Sequence, residues 1–348
     1  TEAIVNLMGR EKQTMCFTQG HQELSIKSGG PQGLAEYRLR LQRSNYEVRE
    51  ADLAVAEPAA ALRGCDTVAV VGPLVPLSKQ ATAALKQHLE SGGSLLLALG
   101  PIVGEDGRIE DPELSGLLDA QGIHFLPRLI FERNEAAALP VGFGGEVFLA
   151  EPLPHAINRS LVVGDSVRMR VVLQLTQALE IDQSSTAAAL LRSSADSIAV
   201  ASFQGLSDGA ALEAAGDERS HVLGAAVELP EFVREGAAHP ARLVVLASAS
   251  PFWSSSWLEP SMVGTRRFVE SATSWLLAQP ELVSVPEKRK QPAGLFLTQD
   301  SMDDVRRYVL LYVPLSVVLL GGSVMWRRRK EDEDEPQADE RKSKGRSE

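Results

Sequence analysis

The first third of the chain alternates short runs of consecutive apolar residues with stretches in which apolar positions return every three or four residues. The first pattern is that of a strand buried on both faces, the second that of a helix lying on a sheet. Thr14 to Thr18 (TMCFT) opens the series and is followed by Gln19-Gly20-His21. Residues 33 to 43 set Leu34, Tyr37 and Leu41 on one helical face, Tyr46 to Val48 reads as an edge strand, and Asp66 to Gly72 (DTVAVVG) reads as a buried one. Ser78 is a suitable N-cap for a helix through KQATAALKQHLE, with Ala81, Ala84, Leu85, His88 and Leu89 inward and a stop at Gly92-Gly93. Ser94 to Gly100 (SLLLALG) is the next buried strand. Asp111-Pro112 then opens a helix with Leu114, Leu117 and Leu118 inward that ends at Gly122, and Ile123 to Leu126 returns to the sheet. This alternation predicts an α/β fold with a Rossmann-like, doubly wound, mostly parallel sheet.

From about residue 145 the period changes. VFLA, SLVV, VRMRVVLQL, ALEI, AALL, SIAVASF and HVLGAAVEL are short β-like runs separated by Asp, Ser and Gly, which predicts a strand-rich insertion or second lobe. Residues 242 to 248 (RLVVLAS) restore the buried-strand pattern. They lead through Pro251 and Phe252 into a helix over about 262 to 278 with Phe268, Val269, Ala272, Trp275 and Leu276 on one side. The expected division is a connecting segment at 1–12, an α/β half at 13–144, the strand-rich lobe at 145–240, a strand and helix completing the sheet at 241–278, and a proline-bearing linker at 279–307.

Tyr308 to Trp326 is nineteen residues without a charge. As a helix it extends about 28 Å, enough to cross a bilayer core. The expectation is one C-terminal transmembrane helix at 308–326, with Tyr308, Tyr312 and Trp326 at the headgroup levels and Pro314 inside it. Arg327, Arg328, Arg329 and Lys330 follow at once, and the positive-inside rule places them in the cytoplasm. The folded bulk then lies outside, in the periplasm of a Gram-negative cell, with the span in the inner membrane. The tail at 327–348 holds eight basic and eight acidic side chains and no apolar residue beyond Ala338, so it is expected to be disordered. No signal peptide or other hydrophobic span precedes the helix, and the first residue is Thr1. The expectation is a fragment or mature form whose upstream portion carried a first membrane segment.

Composition narrows the function classes. Hydrophobic residues make up 44% and charged ones 23% of 348, which argues against general disorder and against a polytopic membrane protein. The formal charge of −11 leaves no basic excess for a phosphate backbone, so nucleic acid is not an expected partner. The two cysteines, Cys16 and Cys65, are too few for a structural zinc site. They read either as two buried thiols or, if the domain lies outside the cytoplasm, as one disulfide.

Nucleotide motifs are absent: no G-x-G-x-x-G follows the first strand and no G-x-x-x-x-G-K-[ST] occurs, while the string G-x-S-x-G is present only as GLSDG at residues 205–209. Pro101, after SLLLALG, offers no amide to an oxyanion hole. The six histidines lack metal-ligand spacing, and neither a metal nor a cofactor is expected. Gly20-His21-Gln22-Glu23, just after the first strand, is the one local candidate. A glycine there permits a turn, and His21 and Glu23 would project into the crevice to bind a polar ligand or cap a helix.

CFTQGHQE, DTVAVVGP, ESGGSLLLALGP, RLVVLASASPFW, SWLLAQPELVSV and the anchor ending in WRRRK occur in that order. The ordered set resembles the auxiliary, substrate-binding-like component of gliding-motility-type ABC transporters, the GldG-like family. The resemblance implies a non-catalytic, membrane-anchored, extracytoplasmic subunit beside a permease and a separate ATPase. It also implies a ligand turn of the form Gly-His-Gly-Glu, which Gly20, His21 and Glu23 match while Gln22 replaces the second glycine. A family His-Pro-Ile pattern corresponds to His155-Ala156-Ile157, and a Gly-Asp-Ser after the late strand to Ala247, Ser248 and Ala249. The alternative reading is a periplasmic module that binds a saccharide or peptidoglycan fragment through the crevice around His21 and Glu23.

Overall fold

A computed structural model of the chain describes residues 12–142, 144–163, 167–202, 218–234, 240–277, 307–316 and 319–324. Almost all of the connecting segment at 1–12 and of the linker at 279–307 lies outside the described residues, as does the whole tail at 327–348. Two compact units are present, Thr1–Pro286 and Glu287–Glu348.

The first unit is built on one eleven-stranded sheet. Its strands are β1 (Thr14–Gln19), β2 (Glu47–Asp52), β3 (Thr67–Val71), β4 (Ser94–Ala98), β5 (Ile123–Leu126) and β6 (Val147–Pro152). They are followed by β7 (Val171–Gln174), β8 (Ala178–Ile181), β9 (Ala188–Arg192), β10 (Val222–Leu229) and β11 (Ala241–Leu246). The order across the sheet is β7-β6-β9-β10-β11-β4-β3-β1-β2, with β8 pairing β10 and β5 off this path. From β11 to β2 every pairing is parallel. From β11 to β7 every pairing is antiparallel.

The strand-rich segment therefore continues the parallel sheet through the β10/β11 pairing. Ile123 to Leu126 returns to the sheet as expected, pairing antiparallel with β8, Ile123 opposite Ile181. Its apolar run marks a strand but carries no information about its neighbour.

Alternation along the parallel strands divides the core into two faces. Met15, Phe17, Ala69, Val71, Leu96 and Leu246 pack with Tyr37 and Leu41 of α1 (Ala35–Arg43) and with Phe268, Val269 and Ala272 of α3 (Val263–Leu276). Cys16, Val68, Val70, Leu95, Leu97 and Val245 pack with Ala81, Leu85 and Leu89 of α2 (Lys79–Glu90). Covering both faces explains the unbroken apolar runs of β3 and β4. Ser78 caps α2 as its sequence suggests, its Oγ accepting from the Ala81 N–H at 3.2 Å.

Cys16 and Cys65 are not free thiols. They form a disulfide with Cα atoms 5.8 Å apart, tying β1 to the turn that enters β3. The guanidinium of Arg49, opposite Cys16 in the β1/β2 register, lies over the bridge with Nε 3.3 Å from Cys16 Sγ and Nη2 3.2 Å from Cys65 Sγ.

In the second unit, residues 307–316 and 319–324 are helical, with a π-helical turn at Tyr308–Tyr312. Among the described residues no helix is long and apolar enough to cross a membrane. The span expected at 308–326 includes residues 317, 318, 325 and 326, which are outside the described set. Tyr308, Tyr312 and Pro314 are described, whereas Trp326, Arg327, Arg328, Arg329 and Lys330 are not.

Candidate functional site

In the parallel half, β1 is flanked by β2 on one side and β3 on the other, and the chain then runs outward through β4 to β11. The direction of chain progression reverses between β1 and β3, and open α/β sheets bind ligands beyond the carboxyl ends of the strands at such a point. The Gly20–Glu23 turn stands there.

Gly20 takes φ +118°, and a Cβ on it would sit 2.8 Å from both Ala54 Cβ and Ala54 N. Only glycine lets the chain leave β1 beside the end of β2. Gln22, in the left-handed region at φ +59°, completes the reversal. This conformation turns His21 and Glu23 inward instead of into an open cleft, leaving them 6% and 7% exposed. The His21 N–H donates to Glu23 Oε2 at 2.7 Å, and His21 Nδ1 lies 3.7 Å from Glu23 Oε1. His21 Nε2 accepts the Ser78 N–H at 3.1 Å, which leaves the ring proton on Nδ1, facing the carboxylate. The His21 carbonyl accepts the Leu74 N–H at 3.2 Å. One residue thus joins the β1 turn, the loop after β3 through its carbonyl and the start of α2 through its ring.

Leu24 closes the crevice further. Its N–H donates to the Val71 carbonyl at 2.9 Å, and its side chain covers Gly72. A Cβ placed on Gly72, which has φ +58°, would meet Leu24 Cγ at 2.8 Å and Ala249 Cβ at 3.2 Å. Leu24 and Ala249 therefore occupy the ground above the switch point. Next to Ala249, Ser248 Oγ donates to the Gln174 carbonyl at 2.8 Å. The Ala247–Ala249 segment fills the cleft and has no acidic group to put in it.

Gly20, His21 and Glu23 lie together in one turn, with His21 and Glu23 held inward as a brace. Leu24 and Leu74 carry no local signal in the sequence for their part in it, and Ser78 and Ala249 stand out there only as an N-cap and in the late-strand correspondence. His155 sits apart, after β6, where Nδ1 accepts the Ile157 N–H at 3.2 Å and the ring meets Trp275 edge-on at 5.5 Å between centroids. Among the described residues no serine or cysteine side chain is hydrogen-bonded to a histidine ring; Ser78 reaches His21 through its backbone. Nor does any described group of three or more His, Cys, Asp or Glu side chains have the arrangement to hold a metal ion.

Comparison with known proteins supplies a context for this arrangement. A family model described as an ABC-type uncharacterized transport system matches residues 12–270. No curated protein matches the sequence. Among solved structures, the mmIFT52 N-terminal domain is similar at 18% identity and a TM-score of 0.54, with 76% of this chain and 97% of that chain covered. That likeness is one of fold. A thua-like protein from Bacteroides uniformis ATCC 8492 aligns at 10% identity and a TM-score of 0.40, over 78% of this chain and 95% of that one.

Proposed function

The chain belongs to the auxiliary-component family of ABC-type transport systems, and from that premise we propose that it is a non-catalytic, membrane-anchored subunit of the gliding-motility type. In this reading its sheet domain stands outside the inner membrane, one helix at 308–326 holds it to the bilayer, and Arg327 to Lys330 lie on the cytoplasmic side. A permease and a separate ATPase are its partners. The observation that carries the reading is the family match across 12–270.

Two structural features support it. The ground where a doubly wound sheet would hold substrate is filled by Leu24 and Ala249, which suits a body that works through its surface. The Cys16–Cys65 bridge suits an oxidising compartment. Co-purification in mild detergent tests the proposal. The expected result is recovery of an ABC permease and an ATPase with the tagged chain, and repeated recovery of the chain alone sinks it.

One observation favours the second reading, a saccharide or peptidoglycan-fragment module. His21 Nδ1 and Glu23 Oε1 are buried without hydrogen-bond partners. That reading requires ligand-dependent thermal shifts that vanish in His21→Ala, and a glycan panel producing no shift disposes of it.

A further inference from the structure

A separate concavity opens on the antiparallel half, at the end of β6. It encloses about 370 Å³, within the range of small-molecule sites. Pro154, Leu161 and Val162 contribute to a mostly apolar lining, and Arg159 and Arg168 are its charged members. Among the described residues no carboxylate lines it, although the chain as a whole carries −11. Glu151, next in sequence to the lining residue Pro152, is already engaged by Arg192 at 2.9 Å and 3.0 Å. Arg159 and Arg168 are both exposed, and the side chain of neither makes an ion pair or hydrogen bond with any described residue.

The remaining polar members are held in place by the fold. Asn158 is 5% exposed, and its Nδ2 donates to the carbonyls of Leu153 and Leu190 at 2.7 Å and 2.8 Å, which fixes the amide and leaves Oδ1 without a partner. His155 Nδ1 accepts the Ile157 N–H, so its proton resides on Nε2. The groove thus sets two guanidinium groups, unpaired among the described residues, and one imidazole beside apolar walls. Guanidinium pairs recognise carboxylate and phosphate through charge-assisted hydrogen bonds, and the walls favour an apolar body on the same molecule.

We propose that this groove binds a small amphiphilic anion, a carboxylate or phosphate carried on an aromatic or aliphatic group. The site is independent of the brace at His21 and of the transport reading.

The test is calorimetric titration of the full chain in zwitterionic lipid nanodiscs with phenylacetate and with phenyl phosphate. Benzyl alcohol and inorganic phosphate serve as controls. Saturable one-to-one binding of at least one anion is expected, and the better of the two identifies the head group. Affinity should fall about tenfold in Arg159→Gln and again in Arg168→Gln. It should be lost in Val162→Trp, which fills the groove and leaves both arginines. Circular dichroism checks that each variant is folded, and the exposed arginine variants remain informative if Val162→Trp is not. The proposal is overturned if neither anion binds, if the double arginine variant binds as the parent does, or if inorganic phosphate binds as tightly as phenyl phosphate.

Discussion

Cys16 and Cys65 are 49 positions apart, and the loop they close contains α1 and β2. Cross-linking a loop of that length removes entropy from the unfolded chain, a stabilisation of typically about 2–4 kcal/mol. Replacing both by serine should lower stability by about that amount in urea denaturation monitored by circular dichroism, without changing the fold. A loss near zero would mean that the bridge constrains nothing the packing does not already hold. The bond was not legible from sequence because spacing along the chain says nothing of Cα separation; the β1/β3 pairing brings the two residues to 5.8 Å. The same limit applies at His21. Gly20 announced a turn, but its inward sense depends on the Ser78 N–H, 57 positions away.

At the scale of elements, the two ends of the strand path from β7 to β2 are protected differently. β2 reads Glu-Val-Arg-Glu-Ala-Asp, and its charges discourage a further strand from pairing with it. β7 instead has its outward N–H groups taken: Val172 donates to Thr265 Oγ1 and Gln174 to Ser250 Oγ, each at 2.9 Å. Thr265→Val with Ser250→Ala removes both acceptors and leaves a bare edge, so sedimentation velocity should show concentration-dependent self-association absent from the parent. Unfolding should also cost about 1–3 kcal/mol less per orphaned N–H. Continuous apolar runs made β1, β3, β4 and β11 legible. β2 extends four residues beyond Val48, through a stretch whose alternating charges conceal a strand until its edge position is known. β5 is legible as a strand of the sheet, but its antiparallel pairing with β8 is not, since pairing is decided by tertiary contacts.

For the whole molecule, two histidines pull stability in opposite directions with pH. His88, on α2, is packed against Gly93, and burial pushes its pKa down to about 4. The unfolded chain takes up that proton near pH 6.5, so stability is full above about 6.5 and declines as pH falls toward 4. His124 behaves oppositely. Its hydrogen bonds to Asp182 at 3.1 Å and Asp119 at 2.9 Å raise its pKa, so its contribution is complete below the unfolded value and is lost as pH rises through the raised one. That trio is solvent-exposed and screened, so the buried groups dominate: His88, and His221, whose pKa burial also pushes down to about 4. Thermal denaturation should give a lower Tm at about pH 5 than at about pH 7. The drop should be smaller in His88→Asn and larger in His124→Asn; equal drops in all three proteins would refute the assignment.

Leu24 and Ala249 together carry a wider implication. The vestibule above Gly72 is shut by two side chains, while the strands and turns that would frame a receptor site remain in place beneath them. Trimming Leu24 would hollow out that vestibule without rerouting the backbone. A scaffold built this way can move between receptor and purely architectural duty by point substitution.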